Sequence, residues 1–318
     1  MIKFLKHCFF IALSTLILNI LLGKLVDGLL VNIDYSSYSH WNDIVNEKIN
    51  ADILILGSSR GQVGYNTKII ENNLQFKTFN CSYNAGGYNL QRAKYNIYRE
   101  NNKKPDIVIQ NIDLAHFYPT SNLPNKESIL PVLENYNIQE NLYNKFSLKE
   151  IGLLKYASRT RIPLKILRYY CFDSFDYVKN INGYTAISKK FAIDRYNIER
   201  FKTHYYQSFN KDMDEGITNT LDFVKELNSK NTIVFLVWLP EHRIRLNTTV
   251  DLRNEVIQLI NKYVEQNDKV HFIDLSDDAI SDDSLYFYDT FHLNEKGATL
   301  ISNKIANTIK DSLCYLTP

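Results

Sequence analysis

A serine near the start of this chain and an aspartate–histidine pair near its end have the types and settings for covalent chemistry. In Asp52-Ile53-Leu54-Ile55-Leu56-Gly57-Ser58-Ser59-Arg60, an apolar run of strand length stops at a glycine and then presents two hydroxyls and a guanidinium. Ligands in open α/β sheets gather at the carboxyl ends of buried parallel strands, so Ser59 sits where a nucleophile would be exposed. A serine hydroxyl is weakly nucleophilic at neutral pH and needs a base beside it. Asp289-Thr290-Phe291-His292-Leu293-Asn294-Glu295-Lys296-Gly297 offers one, with an acid three residues before a histidine, just ahead of the last helix. An imidazole titrates near neutrality and can take the proton, and Asp289 can fix its tautomer. Ser58 competes with Ser59 for the role. The plain alternative for the first stretch is a serine-rich turn capping the next helix.

Those residues need a scaffold, and from residue 50 onward the sequence alternates strand and helix patterns. Asp52–Leu56 reads as a first strand, followed by a short helix from about Asn66 with Ile69, Ile70 and Leu74 on one face. Phe76–Cys81 is a second strand that ends in Ser82-Tyr83-Asn84-Ala85-Gly86-Gly87, and a polar helix runs from about Asn89 to Glu100. Pro105–Gln110 is a third strand leading into Asn111-Ile112-Asp113. Thr232–Trp238 is a fourth, ending at Pro240-Glu241-His242, and Val270–Leu275 is a fifth. Between these two, Val256, Ile257, Ile260 and Val264 form one helical stripe. The final helix takes Asn294 as N-cap and buries Ala298, Ile301, Ile305 and Ile309. Such alternation predicts an α/β, three-layer fold with a five-stranded parallel sheet between helices.

Residues 115–215 break that rhythm. Ser147-Leu148-Lys149-Glu150 is a capping box, Pro163 suits the first turn of another helix, and no strand alternation is visible. The stretch reads as a helical insertion that either walls the cleft beside Ser59 or packs away from it. At the N-terminus, Lys3, Lys6 and His7 precede an apolar run from Cys8 to Leu22, with a weaker apolar stretch on to Val31. No A-x-A-like cleavage site follows. Residues 1–32 therefore read as an uncleaved signal anchor, a single membrane-spanning helix, with 33–318 as one extracytoplasmic domain.

Composition narrows the function classes. A formal charge of +2 over 318 residues makes no electrostatic case for nucleic acid. Cys8, Cys81, Cys171 and Cys314 lie far apart without zinc or CxxC spacing, so neither a metal site nor a disulfide framework is expected. Gly57, Gly61 and Gly64 form a glycine-rich turn, but the spacing is not G-x-G-x-x-G and the second strand ends in Asn80-Cys81 without an acid for a ribose.

With Gly57-Ser58-Ser59 at one end and Asp289-Thr290-Phe291-His292 at the other, the chain resembles the SGNH/GDSL hydrolase superfamily over roughly residues 50–113 and 216–316. Membrane-anchored bacterial members whose first block reads GSSR or GSSH are the most similar in pattern. The resemblance implies a flavodoxin-like sheet with no cofactor, Ser59, His292 and Asp289 as catalytic triad, and an oxyanion hole from Ser59, Gly86 or Gly87, and Asn111. The third block departs from the family pattern, reading Gln110-Asn111-Ile112-Asp113 without a glycine and with the asparagine shifted. Arg60 either holds an anionic group of the substrate or pairs with an acid such as Asp113. Asn84 and His242 are further substrate-binding candidates, although His242 and His116 read more readily as ordinary structural histidines. The implied activity is a serine esterase or O-acyltransferase on acylated envelope glycans or small esters, a transferase needing a membrane-bound acyl-donor partner. An inactive scaffold that binds envelope polysaccharide is the alternative.

Overall fold

In the computed structural model, residues 1–32, 36–46, 49–120, 123, 125–147, 150, 180–193, 199 and 209–316 are described. The chain divides into two compact units, Met1–Asn46 with Asn125–Tyr177, and Glu47–Pro124 with Val178–Pro318.

The larger unit is built on a five-stranded parallel sheet. Its strands are β1 (Ile53–Leu56), β2 (Thr78–Asn80), β3 (Ile107–Ile112), β6 (Ile233–Trp238) and β7 (Val270–Asp274), in the order β2-β1-β3-β6-β7. The register aligns Ile53 with Ile107, and Ile107 with Ile233. Side chains alternate across a strand, so Ile53, Ile55, Ile107, Ile109, Phe235, Val237 and Ile273 share one face. They are buried in one core with Ile70 of helix α4 (Thr67–Leu74) and with Ile301, Ile305 and Ile309 of the C-terminal helix Glu295–Leu316. Helix α5 (Tyr88–Asn101) and the helix Lys211–Ser229 meet through the rings of Tyr95 and Phe223, 5.2 Å apart. The three-layer α/β architecture expected from the alternation is present. All five expected strands form, each within two residues of its expected ends, and Asn294 caps the last helix by accepting from the Lys296 and Gly297 N–H groups.

In this strand order the chain path reverses between β1 and β3. The crevice outside their carboxyl ends is the switch point at which open α/β sheets hold ligands. Helix α3 (Ser59–Gly64) begins within three residues of the end of β1 and was not anticipated as a helix. A two-stranded hairpin, β4 (Asn180–Ile181) with β5 (Tyr184–Thr185), also departs from the all-helical reading of residues 115–215. Its turn, Asn182-Gly183, has positive φ at both residues (48° and 85°), the arrangement for which Asn-Gly is the favoured pair.

In the smaller unit, α1 (Ile2–Leu30) is 29 residues long and apolar enough to cross a membrane. Consecutive exposed residues Phe9, Phe10 and Ile11, and again Leu21 and Leu22, put apolar surface on every side of it. Trp41 of helix α2 (Ser36–Val45) is fully buried, and Asn42 Nδ2 donates to the Val31 carbonyl at 2.9 Å. One half of the capping box is in place: Glu150 accepts from both the backbone N–H and the hydroxyl of Ser147, at 2.7 and 2.8 Å, while its own N–H donates to the Ser147 carbonyl rather than to the hydroxyl. Pro163 and the rest of 151–179 lie outside the described residues.

Candidate active site

The Asp289–His292 segment folds on itself. Asp289 Oδ1 accepts from the backbone N–H groups of Phe291 and His292, both at 2.7 Å, and this tight turn brings the imidazole back to the carboxylate. His292 Nδ1 lies 2.9 Å from Asp289 Oδ2. A carboxylate only accepts, so Nδ1 carries the proton and Nε2 is left as an acceptor. Ser59, the first residue of α3, brings its Oγ to 2.8 Å from that Nε2. Residues 233 positions apart thus form an unbroken path from hydroxyl to imidazole to carboxylate. Burial pushes the Asp289 carboxyl up, but the His292 contact and the two backbone N–H donors outweigh it and hold the group below the ordinary carboxylate value. The imidazole and carboxylate side chains remain 16% and 22% exposed, so the site is open at one side. Ser58 is turned the other way: it is buried, and its Oγ has no hydrogen-bond partner among the described residues.

A buried ionic assembly couples the two ends of this path. Arg60, next to Ser59, is 2% exposed and donates from Nη1 to Glu241 Oε1 (2.9 Å) and from Nη2 to the carbonyls of Leu239 and Pro240 (2.6 and 2.9 Å). Asp113 stands 3.7 Å from the same Nη1. Glu241 also accepts from Arg245 Nε at 2.8 Å and from the Trp238 indole at 3.1 Å. Burial raises the Glu241 carboxyl and the charges of Arg60 and Arg245 more than reverse the shift, so it stays ionised. Both guanidiniums lie over the ring of Phe291, at 4.8 Å for Arg60 and 3.8 Å for Arg245. Phe291 precedes His292 directly, so the residue after Ser59 and the residue before His292 are locked to one another. On the other side, the Tyr288 ring lies parallel to the imidazole at 5.2 Å. Nothing in the sequence marks Glu241, Arg245 or Tyr288 for this part.

Around Gly57 the chain is crowded and polar. A Cβ on Gly57 would stand 2.9 Å from both Asn111 Cβ and Ser82 Oγ, so only glycine lets β1, β3 and the β2 exit approach this closely. Asn111 accepts the Tyr65 hydroxyl on Oδ1 at 3.0 Å, whereas its Nδ2 is buried without a hydrogen-bond partner among the described residues. An unmet buried donor costs about 1–3 kcal/mol.

Several expected site residues are placed elsewhere or are otherwise engaged. The Gly86 N–H donates to the Tyr83 carbonyl (3.0 Å) and the Gly87 N–H to Thr120 Oγ1 (2.7 Å), because the start of α5 is stitched to residues 116–120. Neither amide is open to a substrate oxygen. Arg60 faces the interior and its acids, with no surface for an anionic substrate. His242 caps the short helix Arg243–Leu246, bonds Ser284 Oγ through Nε2 at 3.0 Å and stacks on Phe191 at 4.6 Å. His116 is buried between Gln91 Nε2 and Thr220 Oγ1, both at 3.0 Å, and burial holds it down at about 3, a neutral core histidine. Asn84 is exposed in a turn.

No protein-family model matches the chain, and no curated protein matches it. Solved structures do. An acetyl xylan esterase from the rumen bacterium Butyrivibrio proteoclasticus is 13% identical with a TM-score of 0.39, over 83% of this chain and 64% of its own. An acylhydrolase from Bacteroides fragilis is 13% identical with a TM-score of 0.40, over 82% and 87%. A family two carbohydrate esterase from Clostridium thermocellum, in complex with cellohexaose, is 10% identical with a TM-score of 0.39, over 83% and 64%. The chain spans just under two thirds of the length of the first and third. At this level of likeness, the functional reading rests on the chain's own geometry.

Proposed function

We propose that this chain is an extracytoplasmic serine esterase or O-acyltransferase of SGNH type, acting on acylated cell-envelope glycans. The observation that carries the reading is the path from Ser59 Oγ through His292 to Asp289, at 2.8 and 2.9 Å. Ser59 Oγ attacks the ester carbonyl carbon as its proton passes to His292 Nε2. The bond from that carbon to the alcohol oxygen then breaks, and the imidazolium returns the proton to the leaving oxygen. Water, activated by the same base, releases the acid from Ser59 in a hydrolase, and a sugar hydroxyl takes its place in a transferase. Asp289 holds the tautomer and stabilises the imidazolium.

The oxyanion is met by the Ser59 N–H, which opens α3 where helical N–H groups have no intrahelical acceptor, and Asn111 Nδ2, buried at rest, joins it only where substrate binding uncovers the end of β3. With Gly86 and Gly87 engaged, the hole is one donor short, a loss worth on the order of a hundredfold in rate. Helix α1 is the membrane anchor, with Lys3 and Lys6 on the cytoplasmic side. The same engaged glycine amides favour one other reading, an inactive protein that binds envelope polysaccharide.

A serine-reactive fluorophosphonate separates the two. The esterase reading expects the wild type and Ser58→Ala to label and Ser59→Ala and His292→Ala to remain unlabelled at wild-type melting temperature. A well-folded wild type that never labels and never cleaves p-nitrophenyl acetate would overturn it.

A further inference from the structure

A cavity of about 680 Å³ opens beside the aspartate–histidine segment, within the usual size of a ligand site. Its wall carries Lys189, Lys190 and Lys296 against a single carboxylate, Glu295, which already accepts the Ser188 hydroxyl at 2.6 Å. Three ammonium groups against one carboxylate leave a surplus of two positive charges. None of the three lysines meets a carboxylate among the described residues, whereas Lys230 and Lys304 each do. The cavity also lies at the N-terminus of the 22-residue C-terminal helix, whose dipole adds to the positive field. The first backbone donors there are already used: Glu295 N–H bonds the Ile187 carbonyl, and Lys296 and Gly297 N–H bond Asn294. The lysines are therefore the groups left to contact a ligand.

The wall is held in place before any ligand arrives. The strap 187–192 is pinned at one end by Glu295 N–H to Ile187 O (2.9 Å) and at the other by Ala192 N–H to Tyr288 O (3.0 Å). Between them Phe191 stacks on His242. Tyr288 is the residue whose ring lies along the imidazole of His292. Asn294 follows His292 by two residues, which places their Cα atoms within about 7 Å. The cavity thus adjoins the aspartate–histidine segment along the chain.

We infer that this cavity is a subsite for an anionic glycan, with Lys189, Lys190 and Lys296 taking up the carboxylates or phosphates of units next to the esterified sugar. This rests on the esterase reading and names its substrate class. Lysines recognise such groups as mobile point charges without fixed bidentate geometry, which suits a polymer with repeated, loosely placed acids. A flat anionic bilayer cannot enter a concave site in the same way.

Binding in the full-length Ser59→Ala protein tests the subsite apart from catalysis. Titration calorimetry would compare an oligogalacturonate, a glycerol-phosphate oligomer and a neutral xylo-oligosaccharide. The expectation is at least tenfold tighter binding of an acidic oligomer at low salt, weakening as salt is raised. That preference should vanish in the Lys189→Ala/Lys190→Ala/Lys296→Ala variant and return with arginine at all three positions, which keeps charge and excludes a folding loss. Whether the carboxylate or the phosphate oligomer binds identifies the source of the anion. Equal affinity for neutral and acidic oligomers would overturn the subsite. So would a preference that survives in the alanine variant, or binding only to phosphatidylglycerol vesicles. Fluorophosphonate labelling of the wild type is scored alongside: labelling without acidic preference sinks the subsite alone, and acidic preference without labelling sinks the esterase alone.

Discussion

At the scale of single residues, the site depends on one proton being on the correct nitrogen. Asp289 keeps it on His292 Nδ1, so Asp289→Asn should preserve the contact and lose the tautomer. Its fluorophosphonate labelling rate should fall by on the order of 10⁴ with little change in melting temperature. A rate within tenfold of wild type would show that Asp289 does not orient the base. His116 makes an opposite kind of residue-scale statement, about stability rather than chemistry. Burial holds its folded value at about 3 against an ordinary 6.5. Between those limits the unfolded chain binds the proton and the folded chain does not, so this group makes stability rise with pH across the window and fall on acidification. Its share of the slope approaches about 1.4 kcal/mol per pH unit. His116→Gln should flatten the dependence between pH 4 and 6 in urea titrations, and an unchanged slope would contradict the burial argument.

At the scale of elements, the assembly of Arg60, Glu241, Arg245 and Phe291 ties the start of α3 to the end of β6 and to the loop that carries His292. Glu241 is bonded to both arginines, and all three groups are buried. Removing one member of a buried ion pair leaves an uncompensated charge, a loss of about 3–5 kcal/mol. Glu241→Gln should therefore lower stability by that amount in chemical denaturation. Glu241→Asp, which keeps the charge, should recover part of the labelling rate. A stable Glu241→Gln protein with wild-type labelling would mean the assembly does not hold the histidine in place. Gly61 belongs to the same junction, since a Cβ there would stand 2.4 Å from Ser82 Oγ. Gly61→Ala is expected to shift α3 and slow labelling at least tenfold.

For the whole molecule, the proposed extracytoplasmic location turns on α1. Its 29 residues extend about 43 Å, more than the roughly 30 Å hydrocarbon core requires. Basic residues before it favour a cytoplasmic N-terminus and an outside catalytic unit. Alkaline phosphatase fused after Pro318 should be active, and deletion of residues 1–32 should move the protein from the membrane fraction to the soluble one. A C-terminal reporter active only in the cytoplasm would reverse the topology and remove envelope glycans from consideration.

Local signals in the sequence reach as far as local forces do. The five strands were legible because short apolar runs bounded by turn residues are what a doubly covered parallel strand requires. The aspartate–histidine pair was legible because its members stand three positions apart and the turn closes within itself. Asn182-Gly183 also carried a local signal, but strands of two residues are too short to show alternation. Which serine faces the base was settled only by the exit of the chain from β1 into α3, since adjacent residues leave a helix start in different directions. The engagement of Gly86 and Gly87 was invisible, because their acceptors come from a backbone turn and from Thr120 across the gap to α5. Arg60 and Glu241 stand 181 residues apart and meet only because the sheet order sets β1 two strands from β6. Periodicity carries no record of such pairings: they follow from burial of the whole sheet, which forces each interior charge to find its partner wherever the fold has put it.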